Sequence, residues 1–235
     1  MKIDSFSYIF RGLDQTSDYA AATSGKSFVW GVAAGSKPGA ATTVIHSFEN
    51  LEIDEGTSLN ENAEFMAFFD KIHLVMKEIN AIVSVAGAYS DGHNLRMFSI
   101  GNARALLFKS GNLIKHSDDD NEAYLSFQNS EMENLMLYDQ IRGMKNHINL
   151  KKALGYGNNG RPKLYDPVPL QKDIALLLCT EPFWRYPSVI EMELDYRKSA
   201  DSKEWLNIMT KRVLMKSNKE IDNENFAALA LMVQG

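Results

Sequence analysis

Phe28-Val29-Trp30-Gly31-Val32-Ala33-Ala34-Gly35-Ser36 is an apolar run of strand-forming residues that ends in a glycine turn. Pro38 to Leu51 follows with helical spacing. A strand that empties into a glycine turn at a helix start is a common place to hold a metal-binding acid. Here the residue before that glycine is Ala34, which has no atom able to coordinate.

Working outward, Ile3 to Phe10 alternates as a strand, and Ser27 to Ala33 is a second one. Asn62 to Asn80 is helical, with phenylalanines and aliphatics around much of its circumference, so it is expected to pack on more than one side. The period then shortens. Ala81 to Tyr89, Leu95 to Ile100, Ala103 to Lys109 and Leu113 to His116 are short apolar runs punctuated by Asp91-Gly92 and Ser110-Gly111, the pattern of an antiparallel meander. A helix is expected around Glu131 to Met144 and a loop from Gly155 to Pro169. Ile174 to Cys179 reads as a buried strand, Lys203 to Lys216 as an amphipathic helix and Phe226 to Val233 as a terminal strand. Consecutive strands with helices early and late predict an α+β sandwich, helices covering sheets.

The 235 residues suit one domain spanning 1–235, with 45% hydrophobic and 23% charged residues, an ordinary globular composition. A formal net charge of -5 leaves no basic footprint for nucleic acid or an anionic membrane. The lone Cys179 excludes an intramolecular disulfide and a cysteine zinc cluster. Neither a signal peptide nor a spanning apolar run is evident, so a cytoplasmic location is expected. Five histidines never fall in a His-Glu-x-x-His arrangement, and no Gly-x-Ser-x-Gly elbow occurs. Gly155-Tyr156-Gly157-Asn158-Asn159-Gly160 lacks the Lys-Ser/Thr of a phosphate loop and reads as a flap. Asp118-Asp119-Asp120 lacks the glycine and distal glutamate of a calcium loop and reads as a solvated turn.

Five further stretches carry a family resemblance: Asp14-Gln15-Thr16-Ser17-Asp18-Tyr19, Phe98-Ser99-Ile100-Gly101-Asn102-Ala103-Arg104-Ala105, Asn149-Leu150-Lys151-Lys152-Ala153-Leu154-Gly155, Leu176-Leu177-Leu178-Cys179-Thr180-Glu181-Pro182-Phe183-Trp184 and Asp222-Asn223-Glu224-Asn225-Phe226. With the opening run, their order resembles the metal-dependent protein serine/threonine phosphatases of the 2C (PPM) type, whose motifs include Asp-Gly, Gly-Asp-Ser-Arg, Ala-Leu-Gly and Ser-Asp-Gly. The resemblance implies the 2C-like α-β-β-α sandwich: two antiparallel sheets flanked by helices.

It also implies a site in which family acids map onto Asp18, Ala34, Glu181 and Glu224, with Asp222 competing for the last position. Hydrolysis by that family needs hard oxygen ligands around two divalent ions about 3.5–4 Å apart. Ala34 replaces the acid that both ions share, Glu181 and Glu224 are one methylene too long, Pro182 stiffens the turn, and Asn102 replaces another acid. The family's phosphate-binding arginine falls near Leu13, with Arg11 as neighbour. The expectation is therefore a degenerate member, a pseudophosphatase that binds a protein or phosphoprotein, with no catalytic residues and no cofactor. Asp18, Glu181 and Glu224 are the candidate residual ligands for manganese or magnesium. The alternatives are a divergent active phosphatase or a structural subunit using Phe183, Trp184 and Tyr186 as an exposed interface, against which stands the favoured reading that these three pack under the flap.

Overall fold

The computed structural model describes residues 2–11, 18–23, 29–48, 51, 63–127, 134–217 and 225–234. Leu13, the stretch from Asp14 to Ser17, Asp222 and Glu224 lie outside the described residues.

In chain order the strands are β1 (Lys2–Phe10), β2 (Asp18–Thr23), β3 (Val29–Gly35), β4 (Val83–Ser90), β5 (Asn94–Ile100), β6 (Arg104–Lys109), β7 (Asn112–His116), β8 (Lys163–Leu164), β9 (Val168–Pro169), β10 (Ile174–Cys179) and β11 (Phe226–Gln234). The helices are α1 (Ala40–Phe48), α2 (Ala63–Glu78), α3 (Glu122–Leu125), α4 (Asn134–Arg142), α5 (Glu181–Trp184), α6 (Val189–Arg197) and α7 (Ser202–Ser217). One sheet of five strands runs β1-β11-β10-β6-β7, and a second of six runs β2-β3-β4-β5-β8 with β9 also on β5. Among the described residues every strand pairing is antiparallel.

Strand alternation explains the layering. Trp30, Val32, Met97, Leu107, Leu176, Leu178 and Leu229 meet between the two sheets. The opposite faces of the same strands are equally apolar. Ala33, Val85, Phe98 and Ile100 pack under α1 and α2 through Phe48, Phe65, Phe69 and Met76. Leu106, Phe108, Leu177 and Ala228 pack under α4, α6 and α7 through Tyr138, Met192, Trp205 and Met209. Sheets buried on both faces need near-continuous apolar strands, and β10, Ile-Ala-Leu-Leu-Leu-Cys, is buried at every position. Each large side chain so buried contributes about 1.5–3 kcal/mol.

The strands over 81–116 and at 174–179 form as the sequence predicts, with boundary shifts of a residue or two, but the expected single meander is two hairpins, β4-β5 in one sheet and β6-β7 in the other. The expected loop at 155–169 instead lends two short strands to β5, and the expected helix at 131–144 is described over Asn134–Arg142. Asp118 to Asp120 is not a solvated turn: Asp119 is buried on Arg104, and Asp120 accepts the Gly101 N–H at 3.0 Å. Asp118 is bound by the Lys163 ammonium and the Tyr124 hydroxyl.

The turn Gly101–Ala103 joins β5 in one sheet to β6 in the other. It therefore marks one end of the sandwich. In the first sheet that end holds the start of β6 and of β11 and the end of β10 and of β1. In the second it holds the end of β3 and β5 and the start of β2 and β4. Asp18, Ala34, Asn102, Glu181 and Asn225 all fall at this end.

Candidate active-site end of the sandwich

Ala34 lies opposite Tyr19 on β2 and opposite Ser84 on β4. Alternation with Trp30 and Val32 turns its methyl to the inter-sheet face. Ser84 is buried, and its Oγ accepts the Asn102 backbone N–H at 3.3 Å. The turn closes tightly here: a Cβ on Gly101, at φ +86°, would stand 2.2 Å from that Oγ. Only glycine suits both demands.

From Asn102 the connection passes to α5, since the Trp184 indole N–H donates to the Asn102 carbonyl at 2.7 Å. Trp184 also covers Arg104, whose guanidinium carbon lies 3.5 Å from the centre of the Trp184 ring and 4.4 Å from that of Tyr138. Arg104 Nε and Nη2 donate to the two carboxylate oxygens of Asp119 at 2.8 and 2.6 Å, both side chains being essentially inaccessible. The arginine of the expected Gly-Asp-Ser-Arg counterpart is thus a buried strut with no surface for an incoming phosphate.

Glu181 opens α5 directly after β10, whose end is locked to β11 by Thr180, which donates its backbone N–H to the Ala227 carbonyl and accepts the Ala227 N–H on Oγ1, each at 3.0 Å. The Glu181 carboxylate is already engaged. His147 Nε2 lies 2.6 Å from Oε1, and Arg185 Nη1 lies 3.5 Å from the same oxygen. Burial opposes charging of the His147 imidazole. The Glu181 hydrogen bond outweighs it, helped by the Met144 carbonyl at Nδ1 and by the carboxylate charge, and raises the His147 pKa above the ordinary value. The His147 imidazole and the Arg185 guanidinium therefore stand at the carboxylate that the resemblance assigns to metal.

Asp18 is placed by its backbone alone, paired with Gly35 at the start of β2. Glu224 lies outside the described residues, two positions before Phe226, the first residue of β11. Among the described residues no group of three or more His, Cys, Asp or Glu side chains is placed to hold a metal ion. With Ala34 lacking a donor and Glu181 held by His147 and Arg185, the described side chains do not make up a two-ion centre.

Phe183 and Trp184 are fully buried, against Phe226 at 5.4 Å and against Tyr138 and His147 at 6.3 and 5.8 Å. The alternative of an exposed interface does not hold for Phe183 and Trp184, which pack inward: α5 turns its two aromatics beneath β11 and α4, while Tyr186 is half-buried beside Arg185. Sequence reading did not anticipate His147 as the partner of Glu181. The Arg185 contact carries a local signal, an i,i+4 pair on one helix face, whereas His147 is 34 residues away.

No protein-family model matches the chain, and no curated protein matches it in sequence. Solved structures do match in fold. The serine/threonine phosphatase PstP/Ppp of Mycobacterium tuberculosis is similar with a TM-score of 0.79 and 14% identity, covering 99% of each chain. PppA of Pseudomonas aeruginosa, a regulatory component of its type VI secretion system, is similar with a TM-score of 0.80 and 12% identity over 100% of this chain and 99% of its own. The catalytic domain of PstP in complex with two manganese ions is similar with a TM-score of 0.78 and 14% identity, covering 99% of each chain. The chain has the fold of the PPM-type serine/threonine phosphatases, the 2C-like sandwich implied by its motif order. The expectation of no cofactor does not stand, since a structure of this same fold is solved with two manganese ions. Among the described residues no helix is long and apolar enough to cross a membrane.

Proposed function

We propose that the chain is a PPM-fold protein in which phosphoester hydrolysis is impaired, and that it acts in regulation by binding a protein or phosphoprotein. The observation that carries this reading is Ala34, a methyl group on the inter-sheet face at the end of β3, beside Ser84 and the 101–103 turn. In-line attack by a bridging hydroxide needs a ligand that both cations share, and no oxygen is available from this side chain. The occupied Glu181 adds support, since coordination by its carboxylate competes with His147 and Arg185.

In this reading Asp18, Glu181 and Glu224 are the residual ligands for manganese or magnesium, and the ion enters against the His147–Glu181 pair. What the chain's own groups do is positional: Ser84 and Asp120 fix the 101–103 turn, and Trp184 fixes α5 upon it. The partner is a protein rather than a nucleic acid or membrane, which the net charge of -5 supports. A cytoplasmic location belongs to the same reading, resting on the single, buried, unpaired Cys179.

A second reading, a divergent active phosphatase, draws support from the full-length likeness to catalytic structures. One assay separates them: hydrolysis of p-nitrophenyl phosphate with millimolar Mn²⁺, for the wild type and for Asp18→Ala. The impaired reading expects the two proteins to be indistinguishable at background rate. Saturable, manganese-dependent turnover that disappears in Asp18→Ala establishes the active one.

A further inference from the structure

The segment from Gly155 to Arg161 is gathered around one side chain of α2, His73. The imidazole Nδ1 accepts the Gly155 backbone N–H at 3.1 Å. In the neutral ring the proton therefore sits on Nε2, which is buried. Gly160 lies against the same ring: a Cβ there would stand 2.3 Å from the His73 Cβ and 2.7 Å from Nδ1. Gly155 is equally confined, at φ +76°, with an added Cβ 1.9 Å from the Ala81 carbonyl oxygen. Arg161 completes the clasp, donating from Nε to both Asp70 oxygens at 3.2 and 3.0 Å and from Nη2 at 2.8 Å. Asp70 and His73 are three residues apart and share one helix face.

The clasp adjoins the active-site end. Leu154, immediately before Gly155, exchanges both backbone hydrogen bonds with Val83 at 3.0 Å, and Val83 precedes the Ser84 that holds the Asn102 turn. We infer that His73 is a pH-sensitive catch: a proton on Nδ1 sets an N–H against the Gly155 N–H, breaks that bond and frees the Gly155 end of the 155–161 segment from α2.

The charged groups around the ring are Lys77 and Asp70 on α2, with Arg161 of the loop neutralising Asp70. Burial first and Lys77 second hold the His73 pKa below the ordinary histidine value, with Asp70 and a backbone hydrogen bond to Gly157 acting the other way. The sign follows from linkage. A base whose folded pKa is depressed contributes its full stability above its unfolded value of about 6.5, and loses it as pH falls through the lower folded value. The catch is closed at neutral pH and opens on acidification.

The test is amide hydrogen exchange of peptides covering 153–161, corrected for intrinsic rates, at about pH 7.5 and about pH 5. We expect a loss of protection at the lower pH in the wild type, and no change with pH in His73→Gln, whatever its baseline. The same pH response in both proteins, or none in the wild type, overturns the proposal. A second measurement needs no variant: NMR of the wild type, following the His73 ring and the Gly155 amide. Coincident midpoints support the catch. A ring that titrates while the amide stays still, or one that remains neutral to about pH 4.5, refutes it.

Discussion

Ala34 and Glu181 are each one substitution away from a familiar carboxylate, yet they fail differently. Ala34 is a missing donor, and restoring it by Ala34→Asp returns an oxygen to the inter-sheet face. Glu181 is a donor already spoken for, clamped between His147 and Arg185. We therefore expect Ala34→Asp alone to leave manganese-dependent p-nitrophenyl phosphate turnover at the wild-type level, and a substantial rise would show that the other departures are harmless. The buried pair of Arg104 and Asp119 gives a sharper residue-scale prediction. Asp119→Ala strands a guanidinium inside a cage of Trp184 and Tyr138, and removing one partner of a buried pair costs about 3–5 kcal/mol. Urea denaturation reads this directly. A loss under about 1 kcal/mol, the range of an exposed pair, would place the arginine in contact with water. Neither the Arg104–Asp119 nor the His147–Glu181 pairing was legible beforehand. Their members are 15 and 34 residues apart, and long-range ion pairs carry no periodic signal.

At the scale of elements, what the sequence disclosed depended on how much of each segment's stability is local. β10 is apolar at every position and β5 to β7 are separated by glycine turns, so both were readable. β2, Asp-Tyr-Ala-Ala-Ala-Thr, is half alanine, a weak strand former, and pairs with β3, so tertiary context decides it. Likewise α5 is four residues long with Pro182 inside its first turn, and α6 follows Pro187, so the prolines masked short helices. The start of α6 did carry a signal, the Ser188-x-x-Glu191 capping box, in which Glu191 accepts the Ser188 N–H at 2.8 Å. Ser188→Ala should cost about 1 kcal/mol in urea denaturation. No loss would mean that the box is not formed in solution. Glu191 also ties α6 to α7 through Lys216 at 2.5 Å. Burial opposes its ionisation, but Lys216 and Ser188 outweigh that and bring its pKa down to about 2. A carboxylate whose folded pKa is depressed contributes above its unfolded value and loses that contribution as pH falls. The α6–α7 contact should thus persist well below pH 4.5 and fail towards about pH 2. Glu191→Gln should flatten this acid limb, and an unchanged limb would exclude Glu191 as its source.

For the molecule as a whole, three apolar layers are maintained around the end that holds Ala34 and Glu181. Trp205 anchors the outer layer, edge-on to Phe108 at 5.1 Å and tilted on Tyr196 at 4.9 Å. Trp205→Ala should cost about 3–5 kcal/mol by cavity formation, comparable with a large part of the stability of an ordinary domain. The layered pattern is why the fold could be read from apolar periodicity and motif order, even at 14% identity to a solved neighbour. The site was less legible because its state depends on what each carboxylate touches, which residue type alone does not state. Anomalous diffraction from crystals soaked in millimolar Mn²⁺ tests the central claim most directly. The account predicts that no pair of ions about 3.5–4 Å apart occupies the end of β3. Two ordered manganese ions sharing a protein oxygen there would contradict it.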